Sequence, residues 1–270
     1  MKTVPQQFNL SKIELINHPN ADSTKRRGIK LSIVSLSNDL SGFERGELVC
    51  ITAPPAGGKS MLARTFAMDF LKQSLDVLYL SFEMTYSQLR RMFDEAGLST
   101  EENKSLIYVP EDIIEKDIAF VEQMAAKHKP TLLVIDDFLS LEEKYAFNND
   151  NNSALRLRGL AGRLKNIAIK NNIVVLTMLH MKKESLNNKQ GSLADIGYSG
   201  GMAQVSDIVM QVTRDQKGGT VQITKSRETG KHSTHYITAV NKIFQEDIVR
   251  KMTGNLKFND AEDFYNEQIR

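Results

Sequence analysis

The sequence contains little that would mark a secreted, membrane-spanning or strongly basic protein. One cysteine, Cys50, occurs among 270 residues, so no disulfide can form within the chain, and we expect a reducing compartment. Cys50 lies in an apolar run and is predicted to be a small core residue. No N-terminal segment has the form of a signal peptide, and no apolar run is long enough to span a bilayer. We therefore expect a cytoplasmic protein with no membrane partner.

Charge excludes one further class of protein. The formal net charge is +2, and 41% of the residues are hydrophobic, which suits a soluble domain with a sizeable core. A highly basic coat protein would carry a much larger positive charge. A local nucleic-acid site remains compatible with this balance, because its footprint can be a single loop.

The most informative segment is a glycine-rich loop between an apolar run, Leu48–Thr52, and a helical pattern, Met61–Leu71. It ends in Gly58-Lys59-Ser60, as a phosphate-binding loop of the form G-x-x-x-x-G-K-S/T requires. Backbone N–H groups of such a loop bind phosphate, its lysine reaches the β- and γ-phosphates, and its hydroxyl ligates Mg²⁺. The alternative is a chance glycine turn. The predicted nucleotide-binding residues are Ala53, which replaces the first glycine of the motif, and Pro54, Pro55, Ala56, Gly57, Gly58, Lys59, Ser60 and Met61.

Apolar runs alternate with helical patterns between Glu47 and Gln245. The predicted strands are 48–52, 77–81, 107–109, 131–135, 173–177, 208–213, 220–225 and 235–240, and the predicted helices are 59–72, 85–96, 114–127 and 153–170. This pattern predicts an α/β fold, with a mostly parallel twisted sheet and helices on both faces. The last runs flank a glycine turn and predict an antiparallel edge hairpin. We divide the chain into an arm at 1–35, an ATPase domain at 36–245 and a tail or docked helix at 246–270.

Three predicted strands lead into side chains with candidate chemistry. Asp136 ends an apolar strand, where a carboxylate can hold Mg²⁺ beside the phosphate loop, and Asp137 is the alternative. Glu83 follows the second strand and either orients the water that attacks ATP or caps the next helix. His180 follows the strand after Asp136 and is either a γ-phosphate sensor or a structural histidine.

A charged pair, Lys225 and Arg227, ends a predicted strand near the C-terminus. Residues two apart on a strand project to the same side. The pair is either an exposed pair of charges or an arginine finger donated to the γ-phosphate of a neighbouring subunit. The second interpretation requires a ring or a filament.

Taken in order, these segments resemble the RecA-like motor domain of DnaB-type ring-shaped replicative helicases, a P-loop NTPase fold. Ser41–Leu48 is similar to the family's S-G-L-x-x-G-D/E-L, Ala53–Ser60 to A-R-P-x-x-G-K-T, Ser81–Met84 to S-L-E-M, Val134–Leu141 to V-I-D-Y-L-Q-L, and Lys225–Arg227 to K-x-R. The match runs from about residue 36 to residue 245. Met178 stands where the DnaB type has glutamine, and Leu179–Lys182 fits some phage helicases better. With so few residues before the motor, we expect a minimal, motor-only member.

The resemblance implies an ATP-hydrolysing DNA helicase that acts on single-stranded DNA in replication, as a homo-oligomer forming a hexameric ring. ATP and Mg²⁺ would be held by Lys59, Ser60 and Asp136. Glu83 would orient water, and Lys225 and Arg227 of a neighbour would complete a shared active site. A primase or loader is a further candidate partner.

In this family the loops after the Asp136-type and His180-type strands line the DNA channel. They correspond here to 142–152 and 181–195. The second is predicted to contact DNA phosphates through Lys182, Lys183 and Lys189, the alternative being a flexible solvated connector.

Two rival functions use the same core. A RecA-like recombination or strand-annealing ATPase would bind single strands as a filament and hydrolyse ATP slowly. A clock- or repair-type ATPase would bind protein partners. The segments 81–84 and 225–227 favour the helicase.

Overall fold

The computed structural model describes residues 28–99, 105–108, 117–142, 153–180, 200–215 and 218–253. The strands are β1 Leu48–Ala53, β2 Val77–Ser81, β3 Leu106–Tyr108, β4 Leu132–Asp136, β5 Val174–His180, β6 Ile208–Asp215, β7 Gly218–Ser226, β8 Thr234–Val240 and β9 Ile243–Glu246. The helices are α1 Val34–Leu40, α2 Lys59–Lys72, α3 Tyr86–Glu95, α4 Ile118–His128, α5 Leu139–Glu142, α6 Ser153–Asn171, α7 Gly200–Val205 and α8 Ile248–Thr253.

One sheet contains these strands in the order β3-β2-β4-β5-β1-β6-β7-β8-β9. Pairing is parallel from β3 to β6 and antiparallel from β6 to β9. The central strands β1, β2 and β4 are buried along their whole length, as parallel strands covered on both faces must be. The predictions of a mostly parallel sheet and of an antiparallel edge are both confirmed.

The core lies in two layers, one on each face of the sheet. Alternate residues of β1 contribute to opposite layers, Val49 and Ile51 to one and Leu48 and Cys50 to the other. Helices α1, α2 and α3 cover the first layer, and helices α4 and α6 cover the second. Burial raises the pKa of the Cys50 thiol to about 12, so this cysteine is an inert core residue, as predicted.

The antiparallel strands are anchored on the helix that follows the phosphate loop. Arg64 on α2 is buried, and its Nε and Nη2 donate to the carbonyl of Lys242 at 2.9 and 2.7 Å. The hydroxyl of Thr65 accepts from the backbone N–H of Phe244 at 2.9 Å. The β8–β9 turn, at Asn241 and Lys242, has two residues of positive φ, as a two-residue hairpin turn of type I′ requires.

Several elements lie outside the sequence prediction. Helix α1 and strand β9 were not predicted, and α8 occupies part of the predicted tail or docked helix. Leu31 and Ile33, which precede residue 36, are buried in the first core layer. The described helices include none that combines the length and the apolar character needed to cross a bilayer.

Core packing under α2 provides the first prediction. Phe66 is fully buried and meets Phe43 edge to face, with 5.2 Å between ring centroids. Phe66→Ala should lower the free energy of unfolding by about 3–5 kcal/mol, through lost burial and the cavity left behind. Urea unfolding measures this. Val34→Ala is the control, because Val34 is 56% exposed and its truncation should change stability little. Equal effects of the two substitutions would contradict the packing described.

Candidate nucleotide-binding site

The glycine-rich segment forms a loop between the carboxyl end of β1 and α2, as predicted. Gly58 has φ of 97° and is the N-cap residue that precedes α2, without a side-chain cap. A Cβ on Gly58 would lie 2.8 Å from Phe244 Cζ, and a Cβ on Gly57 would lie 2.8 Å from the Pro54 carbonyl oxygen. Both positions therefore require glycine. The uncapped helix N-terminus leaves backbone N–H groups directed at the loop, where an anion can bind.

Lys59 is the first residue of α2 and is buried, with 7% of its surface exposed. Its Nζ lies 3.1 Å from His180 Nδ1. An ammonium can only donate, so Nδ1 accepts and the ring carries its proton on Nε2. Burial lowers the pKa of Lys59, and the carboxylates of Glu83, Asp136 and Asp137 oppose that shift. A lysine partly stripped of water beside a loop of N–H donors suits phosphate contact.

Asp136, at the end of β4, lies directly beside the phosphate loop. Ser60 Oγ donates to Oδ1 at 3.4 Å, and the Tyr79 hydroxyl donates to Oδ2 at 3.3 Å. The pKa of Asp136 is raised to about 6, chiefly by burial and then by the charge of Glu83. Mg²⁺ favours a hydroxyl and a carboxylate as ligands, and an excess of negative charge is what a cation neutralises. Ser60 and Asp136 therefore fit the predicted metal site.

Asp137 has different neighbours from Asp136. Its Oδ1 accepts from both the backbone N–H and the hydroxyl of Ser140, at 3.0 Å each, and its Oδ2 lies 3.9 Å from His180 Nε2. Ligand atoms of Glu83, Asp137 and His180 all lie within 4.8 Å of one another. These three side chains therefore offer one nitrogen and two carboxylate oxygens that could together bind a cation.

The structure removes one alternative for Glu83. Helix α3 is capped by Thr85, whose hydroxyl accepts from Gln88 N while the Gln88 side chain accepts from Thr85 N. This reciprocal capping box satisfies the start of the helix without Glu83. The Glu83 carboxylate is exposed beside Asp137 and His180, and its charge acts on Lys59 of the loop.

Lys225 and Arg227 lie at the amino ends of the parallel strands, and this edge of the sheet is opposite the carboxyl edge that carries the phosphate loop. The end of β7 pairs with the beginning of β6, which pairs with the beginning of β1. The length of β1, about 17 Å at roughly 3.3 Å per residue, separates this edge from the phosphate loop. Lys225 Nζ donates to the carbonyls of Ala203, Gln204 and Ser206 at 2.7, 3.1 and 2.6 Å. Both side chains contact the end of α7, so they do project to the same side.

Arg227 is held by an acidic residue that the sequence analysis did not single out. Its Nη1 donates to Asp207 Oδ1 at 3.0 Å, and half of its side chain is exposed. Asp207 Oδ2 accepts from Lys165 Nζ at 2.6 Å and from the backbone N–H of Leu48 at 2.8 Å. A cavity of about 500 Å³ adjoins this network. No local motif marks Asp207, because its partners come from three distant parts of the chain.

Arg214 was also missed. It is exposed on β6, and its Cδ would lie 3.1 Å from a Cβ on Gly58. The sequence did carry one signal for Arg214. It follows the apolar residues of β6, near the carboxyl end of that strand, and β6 pairs with β1, whose carboxyl end leads into the phosphate loop. The predicted DNA-contacting residues Lys182, Lys183 and Lys189 lie outside the described residues. Met61, predicted to contact nucleotide, is partly buried against the first core layer.

The sheet order, the loop at the end of β1 and the carboxylate at the end of β4 together define a RecA-like P-loop ATPase fold. The chain belongs to the AAA domain family, whose model matches residues 24–185.

Known replicative helicases and a recombinase are among the proteins similar to the chain. The replicative DNA helicase DnaB of Helicobacter pylori is 24% identical over 267 residues, covering 87% of this chain and 54% of the relative. A DnaB-like replicative helicase, solved to describe its interactions with primase, has a TM-score of 0.69 at 18% identity, over 81% of this chain and 61% of that chain. The RadB recombinase has a TM-score of 0.57 at 21% identity, over 78% and 96%. The chain thus spans about half the length of the curated relatives that it matches.

Asp136 provides a prediction about pH. Its pKa is raised from 3.8 to about 6 in the folded protein, so the native state holds this proton more tightly than the unfolded chain does. The ionised carboxylate opposes folding above about pH 6, and this penalty fades as pH falls through 6 towards 4. Without nucleotide or Mg²⁺, Asp136→Asn should stabilise the protein at about pH 8, by up to about 3 kcal/mol. That advantage should shrink at about pH 5.

Urea unfolding at the two pH values measures the difference. Asp76→Asn is the matched control, because Asp76 is exposed and its substitution should not produce the same pH-dependent gain. A variant less stable than the parent at about pH 8 would show that the Asp136 carboxylate is well stabilised without a cation.

Proposed function

We propose that this chain is the ATP-hydrolysing motor of a replicative DNA helicase. The observation that carries the proposal is the meeting of Lys59, Ser60, Asp136 and Glu83 around one uncapped helix N-terminus at the carboxyl edge of the sheet. The similarity to the Helicobacter pylori replicative helicase over 87% of the chain supports the choice of helicase within this class.

The phosphates of ATP would lie along the loop, bound by its backbone N–H groups and by the Lys59 ammonium. Ser60 and Asp136 would hold Mg²⁺, which shields phosphate charge when bound. The exposed Glu83 carboxylate, close to His180 and Lys59, would accept a hydrogen bond from the attacking water and orient it towards the γ-phosphorus. Arg214 is a further cation that a bound nucleotide would meet.

His180 would act as the sensor. Its Nδ1 accepts from Lys59 Nζ at 3.1 Å, and an incoming γ-phosphate competes for that same ammonium. When Lys59 turns to phosphate, Nδ1 loses its donor, and the ring is free to reorient at the end of β5. Occupancy of the site thereby changes the strand that precedes the segment predicted to contact DNA.

Arg227 would act on a neighbouring subunit. It lies at the amino edge of the sheet and cannot reach the loop at the carboxyl edge of its own chain. A head-to-tail assembly brings these two edges together, and Arg227, with Lys225 in the predicted scheme, would then stabilise charge on the γ-phosphate. We propose a homo-oligomeric, hexameric ring in the cytoplasm, with single-stranded DNA passing residues 181–195. A primase or loader is a further proposed partner.

The recombinase remains the second candidate, because the RadB recombinase shares the fold. A forked-duplex assay separates the two. A helicase should separate the strands only while ATP is hydrolysed, whereas a recombinase should anneal or exchange strands and tolerate a non-hydrolysable analogue. An ATPase that single-stranded DNA does not stimulate would favour the partner-binding alternative.

The shared site gives a direct prediction. Arg227→Ala should bind ATP but lose DNA-stimulated hydrolysis, by about 10³-fold or more if it is a trans-acting finger. Lys59→Ala should be inactive because it lacks the phosphate-binding ammonium. Mixing equal amounts of the two variants should restore about a quarter of the sites, since each of these pairs an intact loop with an intact finger.

The measurement is the rate of phosphate release with and without single-stranded DNA. Nucleotide binding by each variant is the control, together with Lys170→Ala, which changes an exposed lysine on α6. An inactive mixture, from variants shown to assemble together, would contradict the shared site. Full activity of Arg227→Ala alone would contradict the finger.

A further inference from the structure

Glu83, Asp137 and His180 offer a ligand set that differs from that of the proposed magnesium site. Each presents one ligand atom, and these atoms lie within 4.8 Å of one another. Ser60 and Asp136 offer oxygen atoms alone, as Mg²⁺ prefers, whereas an imidazole nitrogen with two carboxylates suits a transition metal such as Zn²⁺. The two sets share no residue, so a second metal of a different class has ligands of its own beside the phosphate loop.

Asp137 is the fixed ligand of this set. The residue is 4% exposed, and its Oδ1 accepts from the N–H and the hydroxyl of Ser140. Within the part of the chain that the structure describes, Oδ2 has no hydrogen-bond donor, since His180 Nε2 lies 3.9 Å away, beyond hydrogen-bond distance. A nearly buried carboxylate oxygen without a donor is unfavourable, and a cation bound between Asp137, His180 and Glu83 would satisfy it.

The spacing of the three ligand atoms needs little change to hold a metal. In a tetrahedral Zn²⁺ site with ligand bonds of about 2.0–2.2 Å, neighbouring ligand atoms lie about 3.4 Å apart. His180 Nε2 and Asp137 Oδ2 are about 0.5 Å further apart than this. Glu83 and His180 are both exposed, so their side chains can move towards the nearly buried Asp137.

Lys59 controls access to the His180 ring. Its Nζ lies 3.1 Å from Nδ1, so Nδ1 accepts and Nε2 carries the proton. A metal on Nε2 takes the place of that proton, and the neutral ring then carries its proton on Nδ1, which cannot accept from an ammonium. Metal binding therefore requires Lys59 to leave His180. Because a phosphate in the loop draws Lys59 away, nucleotide should favour the metal.

We propose that Glu83, Asp137 and His180 form an inhibitory site for a divalent transition metal of the Zn²⁺ class, separate from the magnesium site and opened when Lys59 turns to phosphate. The metal occupies the Glu83 oxygen that the attacking water needs, and it fixes the His180 ring. The inhibition rests on the proposed function, in which Glu83 orients water. The binding of the metal does not depend on that function.

The first test measures metal binding without nucleotide or DNA. Titration of the full chain with Zn²⁺, in excess Mg²⁺, should reveal a site that Glu83→Gln, Asp137→Asn and His180→Ala each weaken by about tenfold or more. The first two substitutions keep the size and shape of the side chain and so spare the fold. His232→Ala is the control, because His232 is exposed, and it should bind as wild type does. No binding, or binding that survives all three substitutions, would overturn the proposal.

The role of Lys59 is tested in the same titration. Lys59→Met should bind Zn²⁺ at least about tenfold more tightly than wild type, because Nδ1 is free to carry the proton and a nearby positive charge is gone. Lys170→Met removes an exposed lysine on α6 and should leave the affinity unchanged. A Lys59→Met affinity equal to that of wild type would contradict the control of the site by Lys59.

The second test measures ATP hydrolysis at fixed Mg²⁺ and controlled free Zn²⁺. Wild type should lose activity as the site fills and recover it with a zinc-selective chelator. Asp137→Asn, compared with its own rate without Zn²⁺, should need about tenfold more Zn²⁺ for half inhibition, whereas His232→Ala should respond as wild type does. Zn²⁺ that binds yet leaves hydrolysis unchanged, or stimulates it, would overturn the inhibitory role. A wild type that hydrolyses no ATP would sink the proposed function, and the binding titration would still decide the metal site.

Discussion

The site depends on one electrostatic imbalance. A single buried ammonium, Lys59, faces the carboxylates of Glu83, Asp136 and Asp137, and the surplus of negative charge helps to raise the pKa of Asp136 to about 6. Strand register creates this crowding: Ser81 of β2 pairs with Asp136 of β4, and Ala53 of β1 pairs with His180 of β5. Asp136 and Asp137 are buried, so packing leaves these two carboxylates little room to separate. A cation and a phosphate chain are the ligands that would relieve them.

The carboxyl and amino edges of the sheet carry different sets of polar groups. At the carboxyl edge, loops and helix starts present N–H groups, hydroxyls and carboxylates to a ligand. At the amino edge, Asp207 gathers Lys165, Arg227 and the N–H of Leu48 into a rigid junction. The same strand, β1, thus begins at the junction and ends at the phosphate loop. In the head-to-tail assembly proposed above, β1 would connect the loop that binds nucleotide to the side chain that a neighbour's site receives.

Much of the fold and part of the site could be predicted from the sequence, because the residues that indicate them are close together in the chain. Continuous apolar strands and the Gly58-Lys59-Ser60 loop predicted the fold and half of the site, and the bounds of β2 and α2 were predicted correctly. The capping role of Thr85 was also local, since Gln88 follows at the position a capping box uses, but the sequence analysis named only Glu83 as a candidate cap, as the alternative to its role with water. The partners of Lys225 could not be predicted, because they lie 19 to 22 residues away in the chain. No helix or strand periodicity indicates a contact at that separation. Strand β9 is short, and tertiary packing on α2 stabilises it.

That last strand bears on where the chain can be shortened. Phe244 packs against the bare Cα of Gly58, its N–H is held by Thr65, and the Lys242 carbonyl is the acceptor for Arg64. The phosphate loop thus packs against β9, which follows every motif residue in the chain. A proteolytic cut near residue 240 would remove none of the motif residues, yet it would strip the loop of its backing and leave a buried guanidinium without its acceptor. The functional boundary of the nucleotide site therefore lies well beyond its motifs.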